Sequence, residues 1–268
     1  MSTALLSYAS EDDSRGKRLL IRTIEQLTGA RRIQRIYDTL ATVPTDQLWR
    51  VALERLEIEL QLTGTALEEL PPDVPLVLLG NHPFGVLDGI ILCHLTAQVR
   101  PRFRVLTNSV LCVDDRVEKH LLPIDFAETR SAMRTNVATK RAAVEALADG
   151  EAVALFPAGG VATAPSVFSR RAEDLQWKSF VAKLVRGAEA TVVPLYFHGQ
   201  NGRLFQWVSQ FSLTLRLSLL LHELASKRGE QIAVTVGRPM PWEELSQVGN
   251  RLALTEHLRR SVEELGEG

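Results

Sequence analysis

The sequence predicts an α/β fold: a largely parallel central sheet flanked by helices, preceded by an N-terminal helical membrane-surface segment. Three observations predict it. From residue 75 onward, short apolar runs alternate with stretches of helical periodicity. The apolar runs are continuous, as strands buried on both faces are. The region before residue 71 instead carries apolar residues at helical spacing on a basic background.

The strands fit residues 75–79, 103–107, 152–156, 191–197 and 231–236. Helices fit 87–97, 131–148, 177–188 and 255–265. Residues 211–227 begin with strand-like alternation, but 219–224 are spaced like a helix, and helix is the reading taken. Before the core, Arg15, Lys17, Arg18, Arg22, Arg31, Arg32 and Arg35 face the single acid Glu25 between residues 15 and 37. Leu20, Ile24 and Leu27, then Ile33, Ile36, Tyr37 and Leu40, recur at helical spacing, with Gly29 between two short helices. Such helices suit an anionic membrane surface or a solvated face over the core, and the residues leave both open. Pro44, Thr45 and Asp46 announce a further helix over 47–60. The expected division is residues 1–70 as a helical segment packed on or preceding the core, and 71–268 as the α/β domain.

Composition excludes several classes. A net charge of −1 is not the basic signature of a nucleic-acid binder. No run approaches the ~20 apolar residues of a spanning helix, so membrane work would be done from the surface. The N-terminus lacks a secretory pattern. Cys93 and Cys112 lie in apolar sequence without a CxxC, as buried thiols of a reducing cytosol do. His94, His120, His222 and His257 make no metal-ligand spacing, and no metal is expected.

Chemistry concentrates at strand ends. Asn81-His82-Pro83-Phe84-Gly85-Val86-Leu87-Asp88-Gly89 follows the first strand. A histidine with its ordinary pKa near ~6.5 can take a proton from a hydroxyl at neutral pH, worth roughly 10²- to 10⁴-fold. A carboxylate on its other nitrogen fixes the tautomer. Gly85 lets the chain turn sharply enough to return Asp88 to His82. The alternative is a loop histidine and an aspartate that only favours a helix start. Phe156-Pro157-Ala158-Gly159-Gly160 follows the third strand, and its glycines could present N–H groups to a phosphate or an oxyanion. Arg170, Arg171 and Lys178 are candidate anion ligands, or a solvated loop. His198 ends the fourth strand as a second functional histidine or a structural one. There is no G-x-S-x-G elbow for a serine hydrolase.

Taken in order, these blocks resemble the glycerolipid (lysophosphatidic acid type) acyltransferase family, closest to its bacterial hemolysin-like and lyso-ornithine-lipid branch. The likeness rests on NHPFGVLDG at 81–89, TNSVL at 107–111, LPID at 122–125, FPAGG at 156–160, the Trp177-Lys178 segment and VVPLYFHGQN at 192–201. It implies transfer of an acyl group from acyl-CoA or an acyl carrier protein to a lysolipid hydroxyl, without a cofactor. His82 and Asp88 would be catalytic. Asn81, Gly85, Phe156, Pro157, Gly159, Gly160, Arg170, Arg171, Lys178 and His198 would bind substrate. The N-terminal helices and the segment around Phe205, Trp207 and Phe211 would rest on the inner face of the cell membrane, with the protein peripheral and cytoplasmic.

Two departures stand out. His82 and Asp88 are one residue further apart than in the family's usual block, as in the hemolysin-like branch. The third block has Ala158 where the family carries Glu, and no arginine until Arg170. The acceptor headgroup is therefore left open, among lysophosphatidate, other lysophospholipids and lyso-ornithine-type lipids. An acyl-thioester hydrolase and a non-catalytic lipid-binding protein are the other readings.

Overall fold

Seven strands form one sheet in a computed structural model that describes residues 14–16, 18–19, 29–108, 115–125, 129–166, 168–211 and 213–267. In chain order the elements are α1 (Ala30–Thr39), α2 (Leu48–Arg55), β1 (Glu59–Gly64), β2 (Leu76–Gly80), α3 (Val86–Val99), β3 (Phe103–Asn108), α4 (Asp115–Glu118), β4 (Leu121–Ile124), α5 (Arg130–Ala148), β5 (Ala152–Leu155), α6 (Phe180–Ala188), β6 (Thr191–Phe197), α7 (Arg203–Ser209), α8 (Leu213–Ser226), β7 (Gln231–Val236), α9 (Trp242–Leu245) and α10 (Arg251–Glu264). The spatial order is β1-β7-β6-β2-β5-β3-β4. All neighbours are parallel except β6 and β7.

The continuous apolar runs are the central strands. Successive side chains point to opposite faces, and both faces are covered. Leu76, Leu78, Ala154, Val193 and Leu195 pack with Ile91 and Leu95 of α3 and Leu221 of α8. Val77, Leu79, Val153, Leu155 and Val192 pack with Leu147, Val181, Leu184 and Leu258 of α5, α6 and α10. Burying such a Leu or Val contributes about 1.5–3 kcal/mol. Cys93 lies buried in the first layer, where burial pushes its thiol pKa up. Cys112, residues 109–111 of the second block and Leu20, Ile24 and Leu27 lie outside the described residues.

Two strands escape a reading by hydrophobic pattern, and both are edges. β1 pairs parallel with β7, so residues 1–70 are not wholly helical: the helix expected over 47–60 ends at Arg55, and its last residues enter the sheet. β1 is mostly exposed and reads as polar. β4 contains Pro123, which an edge strand tolerates because its missing N–H removes no central ladder bond. The ambiguous 211–227 segment is a helix from residue 213. The helix expected from 177 starts at Phe180.

Candidate active site

The blocks at 81–89, 156–160 and 192–201 lie at the C-terminal edge of β2, β5 and β6, where open α/β sheets hold ligands. β2 ends at Gly80, which needs to be glycine because a Cβ there would lie 2.9 Å from the Phe197 ring. Asn81 follows. Its amide donates to Phe197 O (3.0 Å) and its Oδ1 accepts from Phe197 N–H (2.7 Å), so the side chain is spent joining β2 to β6.

His82 comes next. Its Nδ1 lies 2.9 Å from Asp88 Oδ2. A carboxylate oxygen only accepts, so Nδ1 carries a proton, and in the neutral ring the lone pair is on Nε2. Among the described residues no protein group bonds Nε2. The ring stacks on Phe156, with centroids 4.0 Å apart and planes 14° apart. Phe156 meets Phe197 edge-on at 5.9 Å. The imidazole is thus fixed in plane by β5 and in tautomer by α3. Its backbone is fixed as well: His82 N–H donates to Asp174 Oδ1 (3.1 Å), and His82 O accepts from Ala162 N–H (2.7 Å).

Asp88 is fully buried in the first turn of α3. Its Oδ2 also accepts from Phe84 N–H (2.8 Å) and Gly85 N–H (2.9 Å). The two alternatives for Asp88, helix capping and histidine orientation, are therefore one arrangement. Gly85 makes it possible at φ 86°. The arrangement can take a proton at Nε2 while Asp88 stabilises the resulting imidazolium.

The Phe156–Gly160 turn differs from expectation. Pro157 and Ala158 are buried, with Ala158 in the layer that holds Trp177. Pro157 O accepts from Lys178 N–H (3.0 Å). Gly159 adopts φ 70°, but its N–H is used by Phe156 O at 3.0 Å and is not free for an oxyanion. Gly160 N–H donates to no protein group among the described residues.

Arg170, Arg171 and Lys178 are exposed, and among the described residues none is hydrogen-bonded or ion-paired with His82 or Asp88. Arg170 instead lines a shallow cleft with Ser166, Gln200, Arg203 and Trp207. His198 is not brought to His82. It sits one residue beyond Phe197 on an extended chain, so it faces the other side of the sheet. There it lies edge-on to Tyr196 at 4.9 Å, with Nε2 2.8 Å from Thr235 Oγ1. Phe205, expected at a membrane surface, is fully buried against Val161, Leu219 and Leu220. Its neighbours Leu204, Trp207 and Phe211 are the exposed ones.

Sequence reasoning missed two residues here. Asp174 bridges His82 N–H and Trp177 Nε1–H (2.8 Å). Burial pushes its carboxyl pKa up, against those two hydrogen bonds. Nothing in its local sequence announces that position. Arg216 of α8 donates to Val161 O (2.9 Å). It is the single charge between residues 204 and 222, and that was its available signal.

A family model described as Acyltransferase matches residues 8–265. The chain belongs to this acyltransferase family. The glycerolipid acyltransferase resemblance read from the blocks is thereby borne out, and the protein is an acyltransferase of lipid metabolism. It is similar to a lyso-glycine lipid O-acyltransferase of Phocaeicola vulgatus, 28% identical over 204 residues that cover 71% of this chain and 67% of the relative. It is also similar to one of Bacteroides thetaiotaomicron, 24% identical over 225 residues that cover 80% and 77%. The acyltransferase shares its fold with the crystal structure of PlsC, the 1-acyl-sn-glycerophosphate acyltransferase of Thermotoga maritima. That match has a TM-score of 0.52 at 17% identity, covering 92% of this chain and 87% of the other. The α/β class with a mostly parallel, helix-flanked sheet stands.

Proposed function

We propose that this acyltransferase moves a fatty acyl group from an acyl-CoA or acyl-carrier-protein thioester to the hydroxyl of a lysolipid. The acceptor is an amino-acid lysolipid of the glycine type, as the names of the two relatives suggest. The observation that carries the mechanism is the 2.9 Å contact of His82 Nδ1 with Asp88 Oδ2, which leaves Nε2 as the base.

In this mechanism Nε2 removes the hydroxyl proton as the oxygen attacks the thioester carbonyl. Asp88 stabilises the imidazolium. The tetrahedral oxyanion accepts a hydrogen bond from Gly160 N–H, a type of interaction worth several kcal/mol when preorganised. The intermediate collapses by expelling the thiolate, which recovers the proton from Nε2–H. The acyl bond is already activated, so no covalent enzyme intermediate and no cofactor are required.

The test is purified protein with acyl-CoA or acyl-ACP and a panel of lysolipids. Ester product should form with the wild type, and His82→Ala should lower turnover by roughly 10²- to 10⁴-fold. Wild-type turnover in His82→Ala would rule the mechanism out. Free fatty acid released equally well without acceptor would indicate the thioester hydrolase instead.

The proposed place of work is the inner face of the cell membrane. Arg31, Arg32 and Arg35 form the exposed side of α1, while Ile33 is turned inward. Leu204, Trp207 and Phe211 add exposed apolar surface. Among the described residues no helix is long and apolar enough to cross a membrane. Binding to anionic vesicles should weaken as salt rises, because the Debye length falls from ~10 Å at 0.1 M to ~3 Å at 1 M. Salt-independent sedimentation would remove the electrostatic part.

A further inference from the structure

Arg216 is a half-buried cation with no acid beside it among the described residues. Burial pushes its pKa down. Its Nε is buried without a hydrogen-bond partner among the described residues. Val161 O takes one of its five N–H donors. A guanidinium removed from water without a counter-ion is destabilising, so this position needs a reason beyond packing.

The surroundings supply one. The guanidinium is fastened to Val161, and the next residue, Ala162, donates to His82 O. One turn along α8, Leu220 packs over Gly85, whose N–H holds Asp88: a Cβ on Gly85 would lie 2.8 Å from Leu220 Cδ2. Arg216 is therefore carried on the element that roofs the His82–Asp88 turn. Gly160 lies beside it: a Cβ there would come within contact distance of Arg216 Nη2, at 3.6 Å, and would meet Leu175 at 2.9 Å. The turn itself, Ala158-Gly159-Gly160, contributes no cation.

We infer that Arg216 binds the free carboxylate of the acceptor's headgroup and so delivers its hydroxyl to His82 Nε2. This rests on the lysolipid reading of the site. A carboxylate is favoured over a phosphate monoester because the position offers a single planar fork. Arg170 lines a different cleft, and among the described residues no second cation is hydrogen-bonded beside Arg216. Glycine joined through its amine retains one such carboxylate.

The experiment uses three probes: the amide of glycine with a hydroxy fatty acid, its methyl ester, and lysophosphatidate. Kinetics are measured for the wild type, Arg216→Gln and Arg216→Lys, and equilibrium binding of each probe is measured without acyl donor. For the glycine amide, Arg216→Gln should raise KM and Kd by about 10- to 100-fold, the range for a charge-assisted hydrogen bond. The methyl ester should change by no more than about twofold, and Arg216→Lys should recover part of the loss, as expected for a point charge in place of a fork. Equal losses for acid and ester, or none, overturn the inference. So does a loss confined to lysophosphatidate. If Arg216→Gln does not fold, the acid-to-ester ratio in Arg216→Lys decides the matter by the same criterion. Acyl transfer to the glycine amide that is as efficient in Arg216→Gln as in the wild type defeats this inference alone. Arg216-dependent binding of the acid without acyl transfer supports it while defeating the proposed reaction. Neither binding nor turnover overturns both.

Discussion

Asp88 Oδ2 accepts from three donors: the His82 ring and the N–H groups of Phe84 and Gly85. Its Oδ1 is buried without a partner. One oxygen therefore carries both the helix cap and the orientation of the imidazole, and substitution can separate the two. In Asp88→Asn the amide oxygen can still accept from the backbone, but the ring loses its anionic partner. Turnover should fall by roughly 10²- to 10⁴-fold, with the melting temperature lowered by only a few degrees. Asp88→Ala leaves buried N–H groups unsatisfied and should cost about 1–3 kcal/mol more in stability. Turnover and thermal melts on the two variants check this. Equal turnover in Asp88→Asn and wild type would remove the orienting role.

The turn between β2 and α3 depends on one backbone conformation. Gly85 has φ 86°, and a side chain there would meet Leu220 at 2.8 Å and Val161 at 3.1 Å. Gly85→Ala should destabilise the fold by about 1–3 kcal/mol. It should lower activity further, because the displaced N–H is one of the two backbone donors that hold Asp88. Retained stability and activity, measured by denaturant unfolding and turnover, would contradict this. The element scale is also where sequence reading fell short. The central strands were legible because burial on both faces makes them continuously apolar. β1 and β4 were not, because an edge strand is held by ladder bonds on one side and needs little apolar sequence. Phe205 shows a related limit. Its neighbours Leu204 and Trp207 are exposed, and only the packing of α7 on Val161 and Leu220 turns Phe205 inward.

At the scale of the molecule, the strands' C-terminal edge carries the site and the opposite edge carries a charge tie. Glu151, at the entry to β5, accepts from Arg102 (2.9 Å), just before β3, and from Arg104 (2.8 Å), near the start of that strand. Burial works to raise its pKa, but the hydrogen bonds from Arg104 and Arg102 outweigh burial and hold the carboxyl below its ordinary value. A lowered folded-state pKa contributes stability that is present above the ordinary value of 4.5 and is lost as pH falls through the folded value. Glu151→Gln should therefore cost about 1 kcal/mol at neutral pH, since Arg102 is largely exposed and its share is screened. The gap to wild type should close in acid. Melting curves of both proteins across pH check the sign, and a gap that widens in acid would refute it.

The sequence by itself determined the fold class and the acyltransferase family, through continuous apolar runs and ordered blocks. The turn alone left His82 and Asp88 open between a catalytic pair and a loop histidine beside a helix-start aspartate, and the family resemblance carried the pairing. Tertiary structure decided which other residues join that pair. It stacked Phe156 on the ring, bound Asn81 to β6, turned His198 to the far face, brought in Asp174 from a segment distant in the chain, and tied Arg216 to Val161 nearby. The physical reason is range. A turn three or four residues long is set by local backbone preference, whereas a side chain's neighbour across a sheet is set by strand order and helix packing, which no local pattern encodes.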